Sequence, residues 1–321
     1  MIVNLKYIKK RVALCLLLTI ICLTGIFQNR AHAGRLILHE KLEGIPLAEY
    51  APFLEDKTAA MTVEEVSRLP VSSFTAPGIK KINFGYSDSA YWFRVEAVNP
   101  MTAPVKWLIE SGYPLLDYIT VFIPYGEGYH TIEGGDRISF SYMPHGFHLF
   151  TAEIVTPPGN STYFIRIKSE GSVIIKLSAW DFLSFVEHFT YSSIPLWIFF
   201  GIMIALCFYN FFIYTTSLDR AYLYLSGFIL SIILVDLVHN GLARKYFWPD
   251  NPWLANYSHP LFMFMACITI IKFTQHFMNT HRNRRTVDAF LNILLAFNSI
   301  STIIILFSGY NFATVFSVIA W

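Results

Sequence analysis

Two patterns of hydrophobic positions divide the chain. Between residues 34 and 187, apolar and polar residues largely alternate in short runs, as in the Tyr-Phe-Ile-Arg-Ile-Lys sequence of residues 163–168. A period of two places the apolar side chains on one face of a β-strand. Further along, Asp, Glu, Lys and Arg are missing from four long stretches, residues 189–218, 221–235, 258–271 and 289–321. The pattern therefore predicts an all-β domain followed by membrane helices.

The first region contains six predicted strands, separated by Gly, Pro, Asn and Asp residues that are typical of turns. They cover residues 91–98, 105–110, 118–123, 147–155, 162–168 and 174–180. Such a series predicts a β-sandwich or jelly roll at residues 34–187. Thr62 and Glu65 have the spacing of a capping box and predict a short helix at residues 62–69.

The second region, residues 188–321, predicts an all-α transmembrane helical bundle. Crossing about 30 Å of hydrocarbon takes around 20 apolar residues in a helix. The apolar runs give four complete spans and the start of a fifth, at about residues 192–214, 221–239, 258–277, 288–307 and 312–321. Because the last run covers about half of the bilayer, we expect the natural polypeptide to continue beyond Trp321.

The first 33 residues have the organisation of an export signal. Four basic residues precede an apolar run at residues 12–27, and Ala31-His32-Ala33 has the small-x-small form of a cleavage site. A cleaved signal peptide at residues 1–33 is therefore predicted. An uncleaved anchor helix is the alternative, since the apolar run approaches the lower limit for a span.

Export of the β domain fixes the expected topology. The β domain would be periplasmic or extracellular, and the multi-pass helices would lie in the inner or plasma membrane. The loop after the third span, with Arg282, Arg284 and Arg285, would then face the cytoplasm. This agrees with the excess of positive charge found on cytoplasmic loops.

Composition restricts the function. The chain is 54% hydrophobic and 14% charged, with a formal net charge of +2. The small net charge excludes nucleic acid as an expected partner, because binding a phosphate backbone needs a clustered basic face. All four cysteines lie in apolar runs, so the β domain is expected to fold without disulfides or thiolate-bound metal.

No sequence motif predicts catalysis. The glycine-rich nucleotide loops, His-Glu-x-x-His and Gly-x-Ser-x-Gly are absent, so we expect no catalytic residue, no cofactor and no metal. A membrane-bound hydrolase would also need paired carboxylates or a nucleophile at a convincing spacing. His145 and His148 are two histidines without a nearby carboxylate in the sequence, and structural roles are predicted for them.

The β domain offers candidate ligand-binding residues. Trp107, Tyr113 and Asp117 are predicted near a ligand groove, because aromatic faces beside a carboxylate suit the hydroxyl groups of a sugar. Trp92, Tyr118 and Trp180 could join Trp107 and Tyr113 in a stacking platform for a sugar or another flat ligand, but most of these five aromatic residues are expected in the core.

Polar residues within the predicted spans are a second group of candidates, because such residues are costly in hydrocarbon. Asp236 and His239 share a helix face and could form a proton-relay patch, or they could lie at the outer helix end and pair with each other or with Arg244. Asn210 is expected to form an interhelical hydrogen bond. Lys272 is expected to extend towards the inner interface rather than to carry a Schiff base.

Several motifs together resemble a known family. The first helices carry Gly201-Ile-Met-Ile-Ala205, Tyr209-Asn210, Asp219 to Tyr224, Gly241 and Tyr246 to Pro249, and the β domain carries Tyr91 to Arg94, Asn99-Pro100, Gly112 to Tyr118, Gly135-Asp136 and Arg166 to Ser172. In this order they resemble the bacterial seven-transmembrane receptors with diverse intracellular signalling modules (7TMR-DISM) and their type 2 extracellular domain.

The resemblance implies a jelly-roll sensor related to carbohydrate-binding modules, seven spans and a cytoplasmic output module in cis, commonly a diguanylate cyclase or a histidine kinase. No output module is present in this sequence. The leading hypothesis is a signal receptor for an extracytoplasmic small ligand, with carbohydrate as the candidate. A membrane transporter or channel using Asp236 and His239 is the alternative, and a homodimer is left open. Apart from the ligand and the module, the expected partner is membrane lipid.

Overall fold

The computed structural model describes residues 34–76 and 82–307 of the chain. Within them the chain forms twelve β-strands and seven α-helices, together with four short 3-10 helices. The predicted signal peptide and the predicted start of a fifth span lie outside the described residues.

All twelve strands lie before residue 181. They are β1 (Leu36–Ile37), β2 (Glu43–Pro46), β3 (Phe53–Asp56), β4 (Ile82–Tyr86), β5 (Ala90–Asn99), β6 (Val105–Ser111), β7 (Tyr118–Tyr125), β8 (Gly128–Gly134), β9 (Phe150–Thr156), β10 (Gly159–Lys168), β11 (Ser172–Ile175) and β12 (Leu177–Trp180).

The helices follow, with one exception. Helix α1 (Val63–Arg68) lies within the β domain, and the others are α2 (Phe182–Ser217), α3 (Arg220–His239), α4 (Leu242–Tyr246), α5 (Pro252–Phe277), α6 (Thr280–Asn283) and α7 (Arg285–Phe307).

Two main sheets form the β domain. The larger has the order β1-β5-β10-β7-β8, with β3 also paired to β5, and the smaller has the order β2-β12-β6-β9. Every pairing is antiparallel except that of β1 with β5. Strands β11 and β4 form a separate two-stranded sheet. The predicted sandwich architecture is therefore confirmed.

The alternating residues of both sheets meet in one hydrophobic core. Strand β10 contributes Tyr163, Ile165 and Ile167, while β6 on the other sheet contributes Trp107 and Ile109. Arg166 and Lys168 point to the opposite face, as the alternation predicts. A smaller cluster covers the outer face of the larger sheet, where α1 packs Val63 and Val66 onto Trp92 and Phe164.

The predicted strands correspond to observed ones with two exceptions. The run at residues 147–155 begins as a strand only at Phe150, because Pro144–Gly146 forms a 3-10 turn in which His145 has a φ of 62°. The run at 174–180 is divided at Lys176 into β11 and β12, which belong to different sheets. The capping box of α1 is present, with the Thr62 hydroxyl accepting a hydrogen bond from Glu65 N.

Four of the helices, α2, α3, α5 and α7, are long and apolar enough to cross a membrane. The four complete spans expected from the sequence fall within them. Helix α3 packs against α2 and α5, and α7 packs against α5. Large apolar side chains along α2, such as Ile198 and Phe208, remain exposed to the surroundings. Exposed apolar surface of this extent fits lipid as the surrounding medium.

Candidate functional site

The β domain and the first long helix are joined by a single residue. Strand β12 ends at Trp180 and α2 begins at Phe182, so Asp181 is the N-cap of the helix. One oxygen of the Asp181 carboxylate accepts a hydrogen bond from Ser184 N at 2.9 Å, and the other accepts one from Leu42 N at 2.9 Å. The capping residue therefore bonds the start of the helix to the β domain.

Aromatic packing makes this joint stiff. Phe147 from the loop before β9 contacts Phe185 and Phe189 of α2, with ring centroids 4.9 and 5.0 Å apart. Trp180 stacks on His188 at 4.7 Å. Such ring pairs contribute roughly 0.5–1.5 kcal/mol each beyond the area that they bury. These contacts fix the first turns of α2 to the β domain.

A second connection joins the β domain to the segment between α3 and α5. Phe140 N donates a hydrogen bond to Pro249 O at 2.7 Å, and the Ser141 hydroxyl donates one to the Asp250 carboxylate at 2.6 Å. The Ser139 hydroxyl also donates to Asp250. These bonds hold the outer ends of α3 and α5 against the β domain.

Arg244 of α4 is the central residue of this connection. It is 7% exposed, its guanidinium donates a hydrogen bond to Ile138 O, and it lies over the Phe140 ring at 5.7 Å. Gly241, just before α4, has a φ of +72°, and a Cβ there would lie 2.9 Å from His148 O. Glycine is therefore required for the close approach of the two segments.

A pair of buried carboxyl groups lies behind Arg244. Asp117 precedes β7 and Asp136 follows β8, with exposed fractions of 0% and 2%. Asp117 accepts a hydrogen bond from Glu170 N at 2.8 Å, and Arg137 Nε lies 3.8 Å from the same oxygen. No donor among the described residues bonds to either oxygen of Asp136. Its carboxyl group instead faces that of Asp117.

Burial and mutual repulsion determine the protonation of this pair. Burial, followed by the neighbouring Asp117 carboxylate, raises the pKa of Asp136 well above its ordinary value, while Arg244 and Arg137 oppose the shift. Burial also raises the pKa of Asp117, against the opposing effect of its hydrogen bond from Glu170 N. A protonated Asp136 can donate a hydrogen bond to Asp117, which leaves one charge for the arginines.

Two of the three predicted ligand residues lie at this junction. Asp117 is one member of the carboxyl pair, and Tyr113 is half-buried beside it. Burial, with the Asp136 carboxyl group nearby, raises the pKa of the Tyr113 phenol to about 12. The motifs at residues 112–118 and 135–136 therefore meet, together with Ser169 and Glu170, where the β domain contacts the helices.

Trp107 is placed apart from the other two predicted ligand residues. Its indole is 1% exposed, donates a hydrogen bond to the Thr156 hydroxyl at 2.8 Å, and packs edge-on against Tyr163. The Thr156 and Tyr163 hydroxyl groups are 2.7 Å apart. The predicted grouping of Trp107 with Tyr113 and Asp117 is therefore not observed, because β6 directs this ring between the two sheets.

The polar residues of the spans lie at different positions along their helices. Asn210 donates a hydrogen bond to Leu206 O in its own helix at 2.8 Å, which differs from the interhelical bond expected from the sequence. Asp236 lies in the last turn of α3 and His239 is its last residue, with the His259 ring 5.9 Å away. Among the described residues, Asp236 and Arg244 do not form a salt bridge. The guanidinium of Arg244 is directed towards the β domain, where it donates a hydrogen bond to Ile138 O.

Lys272 and the two histidines of the β domain have local partners. Lys272 Nζ donates to Gln275 at 3.3 Å near the inner end of α5. His145 lies 3.3 Å from the Thr151 hydroxyl and 3.7 Å from Glu153, a carboxylate that the sequence separation concealed. His148 packs on Phe189. No group of three potential metal ligands occurs in the described part of the chain.

Sequence reasoning missed Asp136, Arg244 and Asp250 as members of one site. Asp136 follows Gly134-Gly135, a pattern that predicts an ordinary turn residue. Arg244 lies between two apolar runs, which predicts a basic residue of an outer loop. Gly135 is a local signal for Asp136 alone, since a Cβ there would lie 2.1 Å from Asp117 O. Only the tertiary fold brings these segments together.

Comparison with known protein families covers most of the chain. The family described as 7TMR-DISM extracellular 2 matches residues 48–181, and the family described as 7TM diverse intracellular signalling matches residues 192–321. No curated protein matches the chain. The two families meet at the junction described above, in the order that the sequence motifs indicated. The chain therefore belongs to the 7TMR-DISM receptors, transmembrane sensors with an extracellular β domain followed by membrane helices.

Proposed function

We propose that this chain is a signal receptor in the inner or plasma membrane, in which a ligand bound by the β domain changes the packing of the membrane helices at the junction. The observation that carries this proposal is the buried Arg244, which bonds the outer helix ends to Ile138 O and whose positive charge lowers the pKa of Asp136 in the carboxyl pair. Carbohydrate is part of the proposal as the ligand class. A cytoplasmic output module in cis would receive the signal.

The proposed relay follows from the number and placement of the connections. The β domain holds α2 through Asp181 and holds α3 and α5 through Arg244 and Asp250. Suppose that the helices can pack in two arrangements and that the ligand binds one of them more tightly. The ligand then shifts the equilibrium towards that arrangement, by an amount set by the difference between its two affinities. Three helices held separately by one rigid domain can thus move relative to one another.

The test uses the chain reconstituted in lipid nanodiscs. Spin labels at Ser217 and Asn283 report the distance between the inner ends of the helices, and sugars, amino acids, nucleosides and organic acids are added as stimuli. We expect a compound that binds to shift the distance distribution. Arg244→Gln should abolish the shift while binding persists, because the guanidinium contacts lie at the junction.

Arg284→Gln is the matched control, since it makes the same change on an exposed inner loop. It should leave the shift intact. A compound that binds without moving the inner ends of the unmodified chain would contradict the receptor proposal. Uptake of that compound into proteoliposomes would support the transporter alternative instead.

A further inference from the structure

A cavity of about 400 Å³ lies on the outer face of the larger sheet, beside the N-terminal end of α1. Its wall includes Trp92, Thr120, Phe122, Tyr129, Glu133 and Arg166. These residues come from β5, β7, β8 and β10, so a rigid four-strand surface forms the floor of the cavity. None of them is among the junction residues described above or among Trp107, Tyr113 and Asp117.

The strand register arranges the floor in two neighbouring rows. Arg166 of β10 pairs with Thr120 of β7, and Thr120 pairs with Glu133 of β8, which gives a polar row across three strands. Two residues further along the strands, Phe164 pairs with Phe122. The polar row and the aromatic row are about 7 Å apart, the distance of two residues along a strand.

The polar row is held in position by the fold. The Arg166 guanidinium donates a hydrogen bond to Ala59 O at 2.8 Å and lies over the Trp92 ring at 5.8 Å. Trp92 is 1% exposed, and its Nε1–H has no hydrogen-bond partner among the described residues. A buried donor without a partner is costly, and this one belongs to a residue that lines the cavity.

We propose that this cavity is the ligand site of the receptor and that the ligand is a neutral saccharide. The assignment rests on the receptor function proposed above. A sugar ring has hydroxyl groups at its edge and C–H groups on its faces, so it matches a polar row beside an aromatic row. Each hydroxyl both donates and accepts, which suits a carboxylate and a guanidinium placed on either side of a threonine.

Charge argues for a neutral ligand. The guanidinium of Arg166 and the carboxylate of Glu133 have opposite signs, and Glu64 adds one further negative charge at the rim of the cavity. An anion would meet two carboxylates, while a cation would meet the guanidinium on the floor. Hydroxyl groups gain charge-assisted hydrogen bonds from both without bringing a charge of their own.

The test measures binding of neutral oligosaccharides to the full chain in nanodiscs. The probes are oligosaccharides built from glucose, galactose, mannose or N-acetylglucosamine. We expect at least one to bind, and Glu133→Gln to weaken its binding about tenfold, because a charge-assisted hydrogen bond becomes a neutral one. Phe122→Leu should weaken it by a similar factor through loss of ring stacking.

The matched control is Glu153→Gln, the same change on the outer face of the other sheet. Glu153 borders a second cavity of about 420 Å³ that also includes Trp107. Weaker binding in Glu153→Gln, with Glu133→Gln unaffected, would overturn the assignment and place the sugar in that second cavity.

The remaining outcomes separate the site from the receptor function. If no oligosaccharide binds, the saccharide assignment is overturned, whereas a shift of the inner helix ends by another compound class would leave the receptor function intact. If an oligosaccharide binds and Glu133→Gln weakens its binding, but the distance between the inner helix ends does not change, the site is supported and the receptor function is contradicted.

Discussion

The two halves of the molecule satisfy their buried polar groups in opposite ways. In the β domain the bonds join residues distant in sequence, such as Trp107 Nε1 to the Thr156 hydroxyl at 2.8 Å and Glu170 N to the Asp117 carboxylate at 2.8 Å. In the spans the bonds mostly return to the carbonyl four residues earlier, from Asn210 to Leu206, from Asn256 to Pro252, from Thr269 to Met265 and from Ser301 to Phe297.

This difference indicates which half can change shape. A side chain bonded to its own helix leaves that helix free to slide or rotate against its neighbours, because no interhelical bond has to break. The cross-strand bonds of the β domain would all be strained by such a movement. Exceptions to the local pattern include the contact of Cys207 with Ser226, between α2 and α3, and the hydrogen bond from Gln275 Nε2 to Asn292 Oδ1 at 3.0 Å, between α5 and α7. The β domain thus acts as the rigid part and the helices as the adjustable part.

The largest effect that this comparison predicts is the loss of Trp107. Trp107→Ala should destabilise the β domain by about 3–5 kcal/mol, because it leaves a cavity in the core and removes one of the two hydrogen-bond partners of the Thr156 hydroxyl, the other being Tyr163. Hydrogen exchange of the full chain in nanodiscs would measure this as faster exchange throughout β6, β9 and β10.

Trp253→Ala is the matched control for this substitution, since that indole is 47% exposed beside the outer ends of the helices. Its exchange pattern in the β domain should equal that of the unmodified chain. Unchanged exchange in Trp107→Ala would mean that the cross-strand bonds do not hold the domain together.

Alternation alone predicted the parts of the fold in which one face of a strand is buried. Strand β10 is such a case, with Ile165 and Ile167 in the core and Arg166 outside. The missed strands include β8, an edge strand whose outward residues are polar, and β1, which has only two residues. Short and edge strands carry too few buried positions for a period to appear.

The junction could not be predicted in the same way. The sequence indicated Asp117 because a carboxylate follows an aromatic residue, yet its partners Asp136, Arg137 and Glu170 come from two other loops. Arg244 comes from the membrane domain itself. The local sequence around these residues does not indicate that they are close in space, because their proximity depends on the register of β7, β8 and β10.

The second prediction concerns pH at the junction. Because burial raises the pKa of Asp136 in the folded chain, the folded state keeps a proton that the unfolded chain loses above its ordinary pKa near 4. As the pH rises above about 4, the folded state therefore loses stability relative to the unfolded state, and this loss grows until the pH reaches the raised pKa of Asp136. The slope is at most about 1.4 kcal/mol per pH unit for one proton. Asp136→Asn removes this loss.

Thermal unfolding of the full chain between about pH 4 and pH 8 tests the sign. The variant should become progressively more stable than the unmodified chain as the pH rises. Asp88→Asn, the same change at an exposed position, should show no such divergence. A variant that is less stable at neutral pH would show that an ionised Asp136 paired with Arg244 is the stabilising form.

The smallest effect is predicted for Asn210 in the first span. Its amide bonds to Leu206 O, so Asn210→Leu removes a bond within one helix and leaves no partner unsatisfied on another. Polar contacts in membrane helices contribute about 0.6 kcal/mol on average, so the change in helix packing should be at or below this value. Hydrogen exchange in α3 and α5 should therefore remain unchanged. Faster exchange there would show that Asn210 holds α2 against its neighbours. The division into a rigid β domain and adjustable helices would then fail at the first span.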